Sequence, residues 1–196
     1  TDKSDINPYL VRVGPGVFNE RVTMKQHVDI EGSGQGKTII KYTGGTTLTT
    51  NSSTVVGANN AEIRFLTIES DATGKAFGLG LYSAAAPSLF KVTVSVYGVS
   101  TSSNYGIYSN GAAALPTIEN STVTVIDGPS CYGIVGSNAS NTTVRRSTIT
   151  AVGGGGYGVS VQTAAPKMLL EDVDISMTGT TVNGAYVANA GTLTFR

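Results

Sequence analysis

Cysteine, histidine, tryptophan and net charge are all scarce in this chain, and each scarcity removes a class of function. Cys131 is the only cysteine, so no disulfide can staple the fold from within and no cysteine-built zinc site can form from one copy. Its neighbours Ser130 and Tyr132 give it no activating cation, and it reads as a small buried filler. His27 is the only histidine, with no serine elbow or metal-ligand partner near it in sequence, which excludes a histidine-dependent triad anywhere else. The 13 basic and 13 acidic residues cancel. No basic stripe or RNA-reading motif appears, so no nucleic-acid partner is expected. Long hydrophobic runs are missing too. The longest, such as Phe77 to Leu81, is too short to cross a bilayer, and no membrane insertion is expected.

What the chain has in abundance is glycine, 25 in 196 residues, together with Thr, Ser and Val, a composition suited to flat stacked strands with tight corners. These residues recur. A glycine followed by an apolar residue returns as Gly80-Leu81, Gly106-Ile107, Gly133-Ile134, Gly158-Val159 and Gly184-Ala185, at spacings of 26, 27, 25 and 26. A second column, Ile68, Val94, Val123, Ile149 and Ile175, keeps step at 26, 29, 26 and 26. Two columns in one register, with β-branched residues at period two and no helical periodicity, predict a right-handed parallel β-helix of about 26 residues per coil. Residues 1–196 are expected to form one such domain. The chain stops at Thr192-Leu193-Thr194-Phe195-Arg196, partway through a coil, so it is expected to be a piece of a longer protein.

Alternation assigns faces. Leu81, Ile107, Ile134, Val159 and Ala185 are expected to stack inside, and Tyr82, Tyr108, Val135, Ser160 and Tyr186 to point out. Two outward sets are candidate sites. Tyr82 and Tyr108, beside Gly80 and Gly106, offer a strip where a sugar ring can stack on an aromatic face while glycine leaves room. Thr67, Thr93, Thr122 and Thr148 offer a regular hydroxyl and methyl array of the kind that orders water or contacts ice.

Other motifs carry less. Gly32-Ser-Gly-Gln-Gly-Lys-Thr38 ends like a phosphate loop, but Glu31 stands where its first glycine belongs and Thr38-Ile39-Ile40 reads as strand, so no helix N-terminus is available to cradle phosphate. Glu69 with Asp71, and Glu171 with Asp172 and Asp174, are the best carboxylate groups for calcium. Alternation splits the second group across both faces, and no metal or other cofactor is expected. Asn51-Ser-Ser53, Asn120-Ser-Thr122, Asn138-Ala-Ser140 and Asn141-Thr-Thr143 fit the glycosylation pattern and are read as coil corners.

From Tyr9 to Ile40, about a sixth of the chain, the sequence resembles the first coils of pectin methylesterases. Gly16-Val-Phe-Asn-Glu20 is similar to that family's G-x-Y-x-E motif with Phe for Tyr, and Ile30-Glu-Gly-Ser-Gly is similar to the glycine turn that follows. The resemblance implies the pectin lyase-like β-helix. It also implies where chemistry would sit. The family uses aspartates in Q-D-T and D-F-I-F-G segments and an arginine in G-R-P-W; the second segment's counterpart is Tyr132-Gly-Ile-Val-Gly136, with Tyr132 in place of the aspartate, and the other two have no counterpart.

The expectation is therefore a non-catalytic module, secreted or on the cell surface, that binds polysaccharide or acts as a rigid spacer. The alternative is a carbohydrate-active enzyme with an unrecognised site, and the third reading is an ice-binding surface. Solenoid ends expose unpaired edges, so an end-to-end homodimer through Leu193 and Phe195 is also expected.

Overall fold

The computed structural model describes residues 7–43, 53–71, 76–82, 85–98 and 102–196. The described residues wind as stacked parallel strands, and the coils share three walls. Strands β1 (Tyr9–Arg12), β2 (Gly16–Asn19) and β3 (Val22–Thr23) open walls A, B and C in turn. β4 (Val28–Glu31), β5 (Thr38–Tyr42) and β6 (Ser53–Val56) repeat the path. Then β7 (Glu62–Asp71) runs through A and B together before β8 (Phe77–Tyr82) takes C, and β9 (Ser88–Tyr97) and β10 (Asn104–Asn110) do the same. β11 (Thr117–Glu119), β12 (Thr122–Gly128) and β13 (Cys131–Ser137) follow. The last turns are β14 (Asn141–Gly153) with β15 (Gly155–Gln162), β16 (Lys167–Thr178) with β17 (Thr181–Val187), and β18 (Thr192–Phe195) on wall A. Every recorded pairing between successive coils is parallel, for example β10 with β13 and β14 with β16.

Between walls A and B one residue per coil turns the chain by adopting positive φ: Phe65, Lys91, Asn120, Arg146 and Asp172, at 44° to 55°. Asn120 and Asp172 take this conformation readily, and the other three are held in it by the strands on either side. The turn explains why Ile118 and Val123, five positions apart, both point inward: alternation restarts after Asn120. Ser121 follows the turn and is buried; its hydroxyl donates to Glu119 O at 2.9 Å and accepts from Val92 N at 3.1 Å, tying one coil to the next.

The core is three columns of identical positions. Ile30, Ile63, Leu89, Ile118, Val144 and Leu170 stack in wall A. Ile40, Ile68, Val94, Val123, Ile149 and Ile175 stack in wall B, as the second sequence column predicts. Val55, Leu79, Ile107, Ile134, Val159 and Ala185 stack in wall C. Each fully buried member contributes on the order of 1.5 to 3 kcal/mol.

Two expectations about wall C need correction. The residue that stacks on Ile107 is Leu79, and Leu81, though buried, stacks on Ser109. The coil here is two residues longer than the glycine spacing suggests, so the repeating glycine is Gly78 rather than Gly80. The repeating glycines also face inward, not outward. A Cβ on Gly106 would overlap Val123 Cγ1 and lie 2.6 Å from Gly133 O, and Gly133 stands in the same relation to Ile149. The two columns visible in the sequence are thus two halves of one contact, a bare Cα in wall C receiving a branched side chain from wall B.

Outside wall A runs a ladder of alternating charge. Arg12, Glu31, Arg64, Phe90, Glu119, Arg145 and Glu171 occupy successive coils in register. Arg64 Nε donates to Glu31 Oε2 at 2.9 Å, Arg145 pairs with Glu171, and Arg196 reaches Glu171 Oε1 at 3.5 Å. Arg145's hydrogen bond holds the Glu171 carboxyl below its ordinary range. Phe90 interrupts the ladder and packs edge to face on Phe65 at 5.7 Å, with Lys91 Nζ 5.4 Å from its ring centre.

Candidate functional site

The outer face of wall C carries an aromatic ladder that the glycine repeat hides. The residue before each repeating glycine is Phe77, Tyr105, Tyr132 or Tyr157, and these four lie in register on successive coils. Coil spacing near 4.8 Å matches the separation at which aromatic rings stack. Phe77 and Tyr105 have centroids 4.8 Å apart with planes 2° from parallel, and Tyr105 and Tyr132 are also 4.8 Å apart, at 9°. Burial between its neighbours raises the Tyr105 phenol above its ordinary pKa.

The ladder breaks after Tyr132. The next ring, Tyr157, lies 5.8 Å away and is tilted by 52°. Its partner in the following coil is Asn183, which has no ring to offer. Tyr186, three residues on and in register with Ser160, fills that place instead, covering Tyr157 at 4.3 Å and 14°. Tyr157 is reached through Gly153-Gly154-Gly155-Gly156, and only glycine fits the last of these, where φ is +121° and a Cβ would run into the Cys131 backbone.

A cleft of about 290 Å³ opens where the stack breaks, lined by Tyr132, Tyr157 and Tyr186 together with Gln162, Thr163, Ala188 and Asn189. That is near the lower end of ligand-pocket volumes, which start at about 300 Å³. Gln162 Nε2 donates to Ser160 Oγ at 2.9 Å, which orients the amide. Thr163 and Asn189 sit at the corner after wall C with φ of 60° and 52°, and Ala165 N donates to Asn189 O at 3.1 Å. The lining is made of tyrosine rings, side-chain amides and a hydroxyl, and the surface it presents is mainly polar. Such a set can exchange hydrogen bonds with the hydroxyls of a sugar while a tyrosine ring edge packs beside it. It contains no pair of carboxylates to act as acid and base.

The expected sugar strip lies elsewhere on the same wall and differs in detail. Gly80 is in register with Tyr108, as a strip requires, but Gly106 faces the core. Tyr108 is only 9% exposed, closed in by the rings of Phe77 at 6.4 Å and Tyr105 at 5.8 Å. It therefore has no free face. Tyr82 ends β8 opposite Asn110, and its side chain lies outside the described residues. Sequence reasoning missed Tyr132, Tyr157 and Tyr186 as a set. The signal was present as a triplet, Phe77-Gly-Leu, Tyr105-Gly-Ile, Tyr132-Gly-Ile and Tyr157-Gly-Val, which becomes Asn183-Gly-Ala where the ladder ends.

Thr67, Thr93, Thr122 and Thr148 do lie in register along wall B. They do not form an open array. The glycine-rich corner folds across the first two, where Gly36 N donates to Thr67 Oγ1 and Gln35 Nε2 to Thr93 Oγ1, each at 3.0 Å, and Asp174 follows Thr148 in the column. This corner is also the false phosphate loop: Thr38 begins β5, is fully buried, and hydrogen-bonds Gly14 O at 2.9 Å.

Of the carboxylates weighed for calcium, Glu69, Asp71 and Glu171 are paired with cations. Lys41 Nζ sits 2.5 Å from Glu69 and 3.8 Å from Asp71, and Glu171 lies between Arg145 and Arg196. Among the described residues no three His, Cys, Asp or Glu side chains converge to hold a metal ion. Cys131 is buried with Sγ 3.2 Å from Val152 O, and burial raises its thiol pKa, as a filler requires. Asn51 lies outside the described residues, while Asn120 and Asn138 both occupy positive-φ corners. At the last coil Leu193 packs on the core and Phe195 is 61% exposed. Among the described residues no helix is long and apolar enough to cross a membrane.

No protein family model matches the sequence, and no curated protein matches it. The fold is similar to that of a pectin methylesterase solved in complex with a hexasaccharide, with a TM-score of 0.66 at 13% identity over 92% of this chain and 62% of that one. It is also similar to pectin methylesterase from carrot, with a TM-score of 0.58 at 14% identity over 96% and 74% of the two chains. The pectin methylesterase from Yersinia enterocolitica gives 0.51 at 13% identity over 97% and 92%. The chain spans just under two thirds of the first of these proteins. The likeness is one of fold, a pectin lyase-like parallel β-helix, and it agrees with the resemblance carried by Gly16 to Glu20.

Proposed function

We propose that this chain is a non-catalytic polysaccharide-binding module, working outside the cell or on its surface, whose binding site is the cleft at the break in the aromatic ladder. The observation that carries the reading is the cleft itself: Tyr132, Tyr157 and Tyr186 converge there because Asn183 cannot continue the stack. The fold supports it, since a pectin methylesterase of similar winding was solved with a hexasaccharide. Against catalysis stands the lining. Tyr132 occupies the position that the resemblance gives to an aspartate, and no carboxylate or imidazole lines the cleft.

A polysaccharide array probed with wild type and with Tyr157→Ala is the test. Saturable retention by wild type that Tyr157→Ala loses, with no product released, is the expected result. Release of methanol, reducing ends or unsaturated ends, abolished by substituting an acidic residue of this chain, overturns it in favour of an enzyme.

A further inference from the structure

The chemistry of the cleft also selects among polysaccharides, and this step rests on the binding reading above. We infer that its ligand is an uncharged glycan, with hydroxyls but no free carboxylates on the units that enter, and not a polyuronate. None of the cleft residues carries a charge. A carboxylate entering the cleft would leave water and meet aromatic rings, amides and a threonine with no cation to pair with, and unpaired charge is costly to bury.

The polar groups point the same way. Gln162 gives one hydrogen of Nε2 to Ser160 Oγ at 2.9 Å, which leaves its carbonyl oxygen and the second Nε2 hydrogen for a ligand. That acceptor and donor together match a sugar hydroxyl, which both gives and accepts, better than a carboxylate, which only accepts.

Among the described residues, no cation lines the cleft, and several are engaged elsewhere. Arg64, Arg145 and Arg196 belong to the charge ladder of wall A, and Lys41 is held by Glu69 and Asp71. Lys167, the cation nearest the cleft along the chain, starts β16 in register with Asn141 and Thr192 and does not line the cleft. A uronate-binding surface needs the opposite arrangement, with arginine or lysine forks free to meet carboxylates.

The test is a binding series with matched pairs of oligosaccharides, for example β-1,4-linked mannose hexamers and the mannuronate hexamers of the same linkage, extended to glucan, xylan and galactan against polygalacturonate. Wild type, Tyr157→Ala and Gln162→Lys are each titrated at low and high salt. The expected result is saturable binding to at least one neutral glycan, insensitive to salt, and weakened about tenfold or more in Tyr157→Ala, a loss of about 1.4 kcal/mol. Gln162→Lys should gain affinity for the uronate partner of that pair. If wild type binds only uronates, weakening with salt, and Tyr157→Ala still abolishes it, the site stands and the neutral-ligand inference is overturned. Binding to nothing in the series, or binding that Tyr157→Ala and Tyr186→Ala both leave unchanged, overturns the site itself.

Discussion

The outer column of wall C contains two kinds of neighbour made from the same residue. Tyr105 and Tyr132 lie 4.8 Å apart and nearly parallel, whereas Tyr132 and Tyr157 are 5.8 Å apart and tilted by 52°. Where a ring has rings above and below, its faces are spent on stability. Where the next coil supplies Asn183, Tyr186 covers Tyr157 from another register, Tyr157 tilts away from Tyr132, and a cleft opens beside the three rings. One side chain at one coil thus separates a structural ladder from a site, and the two halves should respond differently to substitution.

The largest effect should come from breaking the wall that both halves share. Gly133→Val puts methyls where Ile149 and the Gly158 carbonyl already stand, an overpacking expected to cost about 3 kcal/mol or more. Chemical denaturation should show that loss together with loss of cleft binding. Tyr105→Ala removes a ring stacked on both sides and should cost about 2 to 3 kcal/mol. Its cleft affinity should be nearly unchanged. Tyr157→Ala should show the reverse balance, a loss of stability smaller than that of Tyr105→Ala with binding reduced about tenfold.

A sharper version adds a ring. Asn183→Tyr puts a ring in Tyr157's own register, where it competes with Tyr186 for the face that Tyr186 covers, and should close the cleft. Binding is expected to fall with little change in stability, since one stack replaces another, measured by thermal melting and titration on the same sample. The smallest effect is on pH. Burial raises the Tyr105 phenol, so the folded state prefers the neutral form. That contribution is complete below the ordinary tyrosine range near pH 10 and is lost as pH rises through the raised folded value. Wild type should therefore lose stability at alkaline pH more steeply than Tyr105→Phe.

The winding was legible because stacking demands the same residue type at the same place in every coil, which writes a period into the sequence. Val94, Val123, Ile149 and Ile175 were found for that reason and lie where the period puts them. Glycine spacing points to Gly80 because spacing alone cannot see that the coil before Tyr105 is longer; the ring before Gly78 marks the true register. The charge ladder of wall A escaped notice because alternating Arg and Glu one coil apart look like isolated surface charges along the chain. The cleft escaped for a different reason. It arises where the repeat fails, at Asn183 and Tyr186, and a search for periodicity discards the positions that depart from it.

The central claim is that the rings at the break, unlike those of the ladder, line a cleft that a ligand can enter. Calorimetric titration of wild type, Tyr105→Ala and Tyr157→Ala with one neutral oligosaccharide measures it most directly. The account predicts that Tyr105→Ala binds like wild type despite its lower stability, and that Tyr157→Ala, folded and less destabilised than Tyr105→Ala, loses about tenfold in affinity. Equal affinity in wild type and Tyr157→Ala, or loss in Tyr105→Ala alone, would contradict it.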